Sequence, residues 1–113
     1  MPPLKGVPIK IGDRSKTRHL RYTHRSIERL EVDTGLTIDQ HGAKLQRGSA
    51  VSLTALLWVG LLHAEPDLTR DEVSGMLATN RYKEYGEAIT LAIGHAFGVD
   101  EPEGNEPGAP PAP

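Results

Sequence analysis

The sequence predicts a mainly α protein: a small bundle of about four helices, preceded by an N-terminal β-hairpin and followed by a disordered tail rich in proline and glycine. Three observations carry that reading. Residues 50–64, AVSLTALLWVGLLHA, are apolar on nearly every helical face yet fall short of the roughly 20 apolar residues that cross a bilayer, so other protein must cover them. Residues 82–97 repeat apolar side chains at three- and four-residue steps. Residues 7–22 instead alternate around a cluster of turn formers, the two-residue period of a hairpin. Residues 1–99 thus read as one helical domain with its hairpin, and residues 100–113 as an acidic tail that cannot pack.

In the hairpin, Val7, Ile9 and Ile11 alternate with Pro8 and Lys10, Gly12 to Ser15 supply the turn, and Leu20 and Tyr22 alternate with His19 and Arg21. Pro8 lacks an amide donor, which places the first strand at an edge. Two strands alone are marginal in water, so the hairpin has to lie on the helices or pair with a neighbour. Thr23 then caps a helix over residues 24–34, with Ile27, Leu30 and Thr34 on one face, Gly35 as the stop and Leu36 folding back over the last turn. From Thr37 to Ser49 the periodicity is lost, and Gly42, Gly48 and several charged or amide side chains predict a loop with at most one short helical turn.

The apolar segment 50–64 is the central helix and the main folding determinant. Leu53, Leu56, Leu57, Trp58, Leu61 and Leu62 are each worth about 1.5 to 3 kcal/mol if fully buried. Glu65, Pro66 and Asp67 then break the chain. Thr69 and Glu72 form the reciprocal pair of a capping box, Leu68 is set to staple against Val73, and Val73, Met76 and Leu77 make the buried face of a short helix. In the last helix Tyr82, Tyr85, Ile89, Ala92, Ile93, Ala96 and Phe97 mark one stripe, Gly98 ends it, and Val99 supplies the apolar contact of a glycine cap. Gly86 and Gly94 either let another helix come close or simply weaken this one, by about 1 kcal/mol each.

Composition narrows the function. There is no cysteine, which removes disulfides, thiolate nucleophiles and thiolate zinc sites. No segment has the form of a signal peptide or a membrane span, so a soluble, cytoplasmic protein is expected. The net charge of −2 conceals an asymmetry. Lys5, Lys10, Arg14, Lys16, Arg18, Arg21, Arg25 and Arg29 face only Asp13 and Glu28 early in the chain, whereas the end carries Asp100, Glu101, Glu103 and Glu106. A solvated basic face explains the first cluster more simply than a nucleic-acid surface does, because a DNA-binding domain usually has an overall basic balance.

The candidates for chemistry fail on spacing. His63 and Glu65 resemble half of a metalloprotease helix, but Pro66 ends the helix before a second histidine. His19 and His24 straddle a strand-to-helix junction, His41 lies in the loop, and His95 sits at a helix C-terminus, where an imidazole is favoured by the backbone dipole. Neither GxGxxG nor GxxxxGK[ST] occurs, and no serine has an elbow-like context. Asp71, Glu72, Glu84 and Glu87 fall at helix beginnings, where they complement the dipole, and they outnumber Arg70, Arg81 and Lys83 on a helix pair that would otherwise read as a DNA-binding helix-turn-helix. No catalytic, cofactor or metal site is expected, and the chain reads as a binding or assembly protein.

Three segments, in order, resemble one family. Leu20 to Gly35, LRYTHRSIERLEVDTG, looks like the amino-terminal signature of small tail proteins from long-tailed bacteriophages and gene-transfer agents. Leu53 to Leu77, LTALLWVGLLHAEPDLTRDEVSGML, is similar to that family's LxxLLWAGLxxxxPxLTxxEVxxLL run, and Ala92 to Gly98, AIGHAFG, to its usual end. The resemblance spans residues 17–98 and implies a tail assembly chaperone, a mostly helical protein that coats the tape-measure protein and recruits tail-tube subunits in the host cytoplasm. It also implies several copies in one assembly, hence self-association, with no role for nucleic acid or membrane. Family members are often made in a short form and a longer one joined after this domain, which the Pro/Gly tail would suit. The hairpin and basic amino terminus are less typical of the helical members, and they keep open a structural role as a minor tail, tube or connector component of the virion. The residues expected to bind a partner are Leu57, Trp58 and Leu61 with Tyr82, Tyr85 and Ile89, each of which also suits an ordinary core.

Overall fold

The computed structural model describes residues 6–12 and 16–98. The expected turn at Asp13 to Ser15, the cap contact of Val99 and the acidic tail lie outside the described residues. The chain is mainly helical with a two-stranded antiparallel hairpin, in the order β1 (Val7–Ile9), β2 (Arg18–Leu20), α1 (His24–Thr34), α2 (Ile38–Gln46), α3 (Ala50–Leu61), α4 (Arg70–Ser74), a 3-10 turn (Thr79–Arg81) and α5 (Tyr82–Ala96).

Helix α3 is the axis because its sequence has no polar side to turn outward. Leu53 and every residue from Ala55 to Leu61 are buried, and α1, α2, α4, α5 and β2 all pack against it. It stops three residues earlier than the apolar run does. Ala64 and Glu65 both donate backbone hydrogen bonds to the Leu61 carbonyl, so Leu62 to Ala64 form a closing turn. Trp58 is buried, with its indole N–H donating to the Leu68 carbonyl at 2.7 Å. The guanidinium groups of Arg29 and Arg70 stand over its ring, 5.3 and 5.6 Å from the centroid, within cation–π range.

The hairpin lies on the helices. Val7 pairs with Leu20, Pro8 with His19 and Ile9 with Arg18, so Val7, Ile9 and Leu20 point into the core while Pro8 stays exposed. Two glycines let the layers close. A Cβ on Gly6 would stand 2.2 Å from the Leu20 carbonyl oxygen, and one on Gly60 would stand 2.9 Å from Leu20 Cδ2 and 3.1 Å from the Tyr22 ring. At that contact the Arg21 amide donates to the Gly60 carbonyl at 2.9 Å, and the Tyr22 hydroxyl donates to the Leu56 carbonyl at 2.7 Å. Burial pushes the Tyr22 phenol far above its ordinary pKa. Arg18 ties the outer rim by donating to Glu65 at 2.9 Å and to the Ile11 carbonyl at 2.8 Å.

Residues 37–49, expected to be a loop, hold the two-and-a-half-turn helix α2. Its start is a capping box: the Thr37 hydroxyl accepts from the Gln40 amide at 3.1 Å, and the Gln40 side chain accepts from the Thr37 amide at 2.8 Å. The inward row is Ile38, His41 and Leu45, and the histidine in the middle of that row is why apolar periodicity misses the helix. His41 is 2% exposed. Its Nε2 lies 2.8 Å from Thr34 Oγ1 and its Nδ1 lies 3.0 Å from Ser52 Oγ, so one ring links α1, α2 and α3. The Thr34 hydroxyl hydrogen is engaged with the Leu30 carbonyl at 2.7 Å, which makes Thr34 the acceptor from Nε2–H and leaves Nδ1 to accept from Ser52. The remaining caps follow the sequence: Thr23 and Thr69 complete capping boxes with Ser26 and Glu72, and Gly35 takes φ 77° at the end of α1.

Candidate functional site

The site is a groove between the α2–α3 corner and α5. Gly48 at φ 87° turns the chain after α2, and the Ser49 hydroxyl caps α3 by accepting from the Ser52 amide at 3.1 Å. That corner presents Leu45 of α2 and Leu53 of α3. The opposite wall is the flank of α5 carrying Tyr82, Lys83, Gly86, Glu87, Thr90 and Leu91. Helix α5 is held in place from its other side, where Tyr85, Ile89 and Ala92 are buried and the Tyr85 hydroxyl accepts from the Ala78 amide at 3.1 Å. Its first turn is pinned by Arg81, which donates two hydrogen bonds to Glu84 at 2.6 and 3.1 Å.

The groove has a volume of about 630 Å³, room for several side chains of a partner, and its walls are largely apolar. Leu91 is 50% and Tyr82 37% exposed along it. Charge is confined to Lys83 and Glu87 at its rim. What such walls offer is dispersion contact and the release of water from apolar surface.

Of the residues expected to bind, Leu57, Trp58, Leu61, Tyr85 and Ile89 lie in the core, each at most 3% exposed. They hold the helices that form the groove but do not line it, and only Tyr82 is on the surface. Leu45, Leu53, Gly86 and Leu91 line the groove and are not among those expected binding residues. Two local signals point to them. Leu91 is an apolar residue out of phase with the stripe of α5, and Gly86 interrupts that helix without ending it.

A second, smaller hollow of about 380 Å³ lies between the hairpin and the end of α3, bordered by Lys16, Arg18, His19, His63 and Glu65. Its strongest cation is engaged with Glu65, and the His63 ring is 2.7 Å from the His19 carbonyl. Among the described residues no group of three or more His, Asp or Glu side chains is placed to hold a metal ion. No described helix is long and apolar enough to cross a membrane.

No family model, curated protein or solved structure matches this chain.

Proposed function

We propose that this chain is a non-enzymatic assembly chaperone of a long phage tail, acting in the host cytoplasm by covering the helical tape-measure protein and recruiting tail-tube subunits. The observation that carries the reading is the apolar groove beside α5, left open by a fold whose own core is already closed. An amphipathic helix laid into such a groove would place its anchor side chains between Leu45, Leu53 and Leu91. A tape-measure protein is a long helical chain that would aggregate if left bare. The ordered resemblance of residues 17–98 to tail assembly chaperones supports a tape-measure helix as the occupant.

Co-expression with the tape-measure protein of the same tail gene cluster tests the reading. The expected result is a soluble complex with the parent chain and insoluble tape-measure protein with Leu91→Glu, while purified virions lack the chaperone. A tape-measure protein whose solubility ignores this chain would overturn the proposal. Stoichiometric recovery from mature particles would instead assign the chain to the tail structure.

A further inference from the structure

Gly86 sits in the interior of α5, where glycine weakens a helix relative to alanine. A Cβ built on it meets nothing within 4 Å, so nothing inside the chain calls for glycine there. The space that the missing side chain leaves opens into the groove. Lys83 and Glu87 bracket it on the same wall. Both are exposed, they have opposite charge, and among the described residues neither makes an ion pair.

A wall with a cation on one side of a close-approach point and an anion on the other is complementary to itself turned end for end. We propose that in the free protein the groove is closed by a second copy of this chain, its α5 crossing antiparallel over Gly86 about a two-fold axis. Glu87 of the second copy falls opposite position 85, about two residues, or about 3 Å along the axis, from Lys83, which is within side-chain reach. The contact is isologous, so each favourable pairing occurs twice. The acidic segment Asp100 to Glu106 is a poorer occupant, because it brings negative charge and no large apolar side chain to an apolar groove. The inference rests on the proposed function only in using the same groove: the dimer stores the apolar surface, and a tape-measure helix displaces the second copy.

Sedimentation equilibrium of the full chain over a wide concentration range tests this. The parent is expected to show a reversible monomer–dimer equilibrium. Lys83→Glu and Glu87→Lys each place like charges together twice per dimer and should weaken it about tenfold, whereas the double exchange Lys83→Glu with Glu87→Lys restores it to within about threefold of the parent. Gly86→Leu projects into open space within its own chain, so it keeps the monomer fold, checked by circular dichroism, and abolishes the dimer. Should that variant fold poorly, the charge exchange alone decides. A chain that stays monomeric at every concentration, or a dimer indifferent to the charge reversals, overturns the inference. A monomer that still solubilises tape-measure protein sinks the dimer and spares the chaperone; a dimer with the expected responses that leaves tape-measure protein insoluble does the reverse.

Discussion

Replacing His41 tests the three-helix link at the centre of the fold. In His41→Leu the apolar volume is kept, but Ser52 Oγ, 1% exposed, loses its one hydrogen-bond partner among the described residues. Thr34 keeps its bond to the Leu30 carbonyl and is not stranded. The expected loss is therefore that of one buried unsatisfied hydroxyl together with the hydrogen bonds removed, about 1 to 3 kcal/mol. Adding Ser52→Ala removes the stranded group and should recover most of that loss. A pH dependence accompanies it. Burial first, and then the nearby charges of Lys44 and Arg70, lower the His41 pKa from its ordinary value of about 6.5. The unfolded chain therefore takes up the proton first as the pH falls. The stabilisation is complete above about pH 6.5 and is lost below it down to the folded pKa, by at most about 1.4 kcal/mol per pH unit. Urea unfolding followed by the fluorescence of Trp58, the sole tryptophan, reads both effects. Equal losses in the single and double variants would refute the hydrogen-bond assignment. A stability gap between parent and double variant that is the same at about pH 5.5 and about pH 7.5 would refute the titration argument.

Gly60→Ala and Gly86→Ala should have opposite signs although both replace a helical glycine: the first drives a methyl into Leu20 and Tyr22 and costs about 1 to 3 kcal/mol, while the second meets open space and gains about 0.5 to 1 kcal/mol in monomer stability by urea midpoint. Thr37→Ala removes the acceptor that starts α2 and is expected to cost about 1 kcal/mol, with hydrogen exchange accelerating first at residues 40–46. Tyr22→Phe deletes the buried donor to the Leu56 carbonyl and should cost about 0.5 to 1.5 kcal/mol in thermal or urea unfolding without changing the circular dichroism spectrum.

The parts of the fold legible in the sequence are those whose signal is local. The uniform apolar run of α3, the capping box at Thr69 and Glu72, and the strand alternation at Val7, Ile9 and Leu20 each name their element without help from elsewhere in the chain. Helix α2 also carries a local signal, Thr37 followed three residues on by Gln40, but its inward row is broken by a histidine. That His41 belongs inside depends on Thr34 and Ser52, which α1 and α3 bring to it. The groove was illegible for the same reason. Leu45, Leu53 and Leu91 come from three helices, and nothing in the sequence says that they face one another. The best apolar stripe in the chain, Tyr85 with Ile89 and Ala92, marks the core because burial rewards periodicity, whereas a docking surface has to stand outside that stripe.

Helix α5 separates these two duties by angle. Its core face is fully buried, and its groove face of Gly86, Thr90 and Leu91 lies on an adjoining flank that shares no residue with it. Truncating Ile89 removes side-chain atoms already surrounded by protein and should cost about 2 to 5 kcal/mol. Leu91 is half-exposed, so its truncation to alanine gives up little burial and should cost less than about 1 kcal/mol. The same Leu91→Ala change removes the most prominent apolar group on the groove wall, and it should weaken whatever the groove holds while leaving the unfolding midpoint nearly in place. A matched pair of measurements, the urea midpoint and dimer or partner affinity, therefore separates folding from recognition on one helix. If Leu91→Ala lowers the midpoint as much as Ile89→Ala does, the flank is part of the core and the groove is not a binding surface.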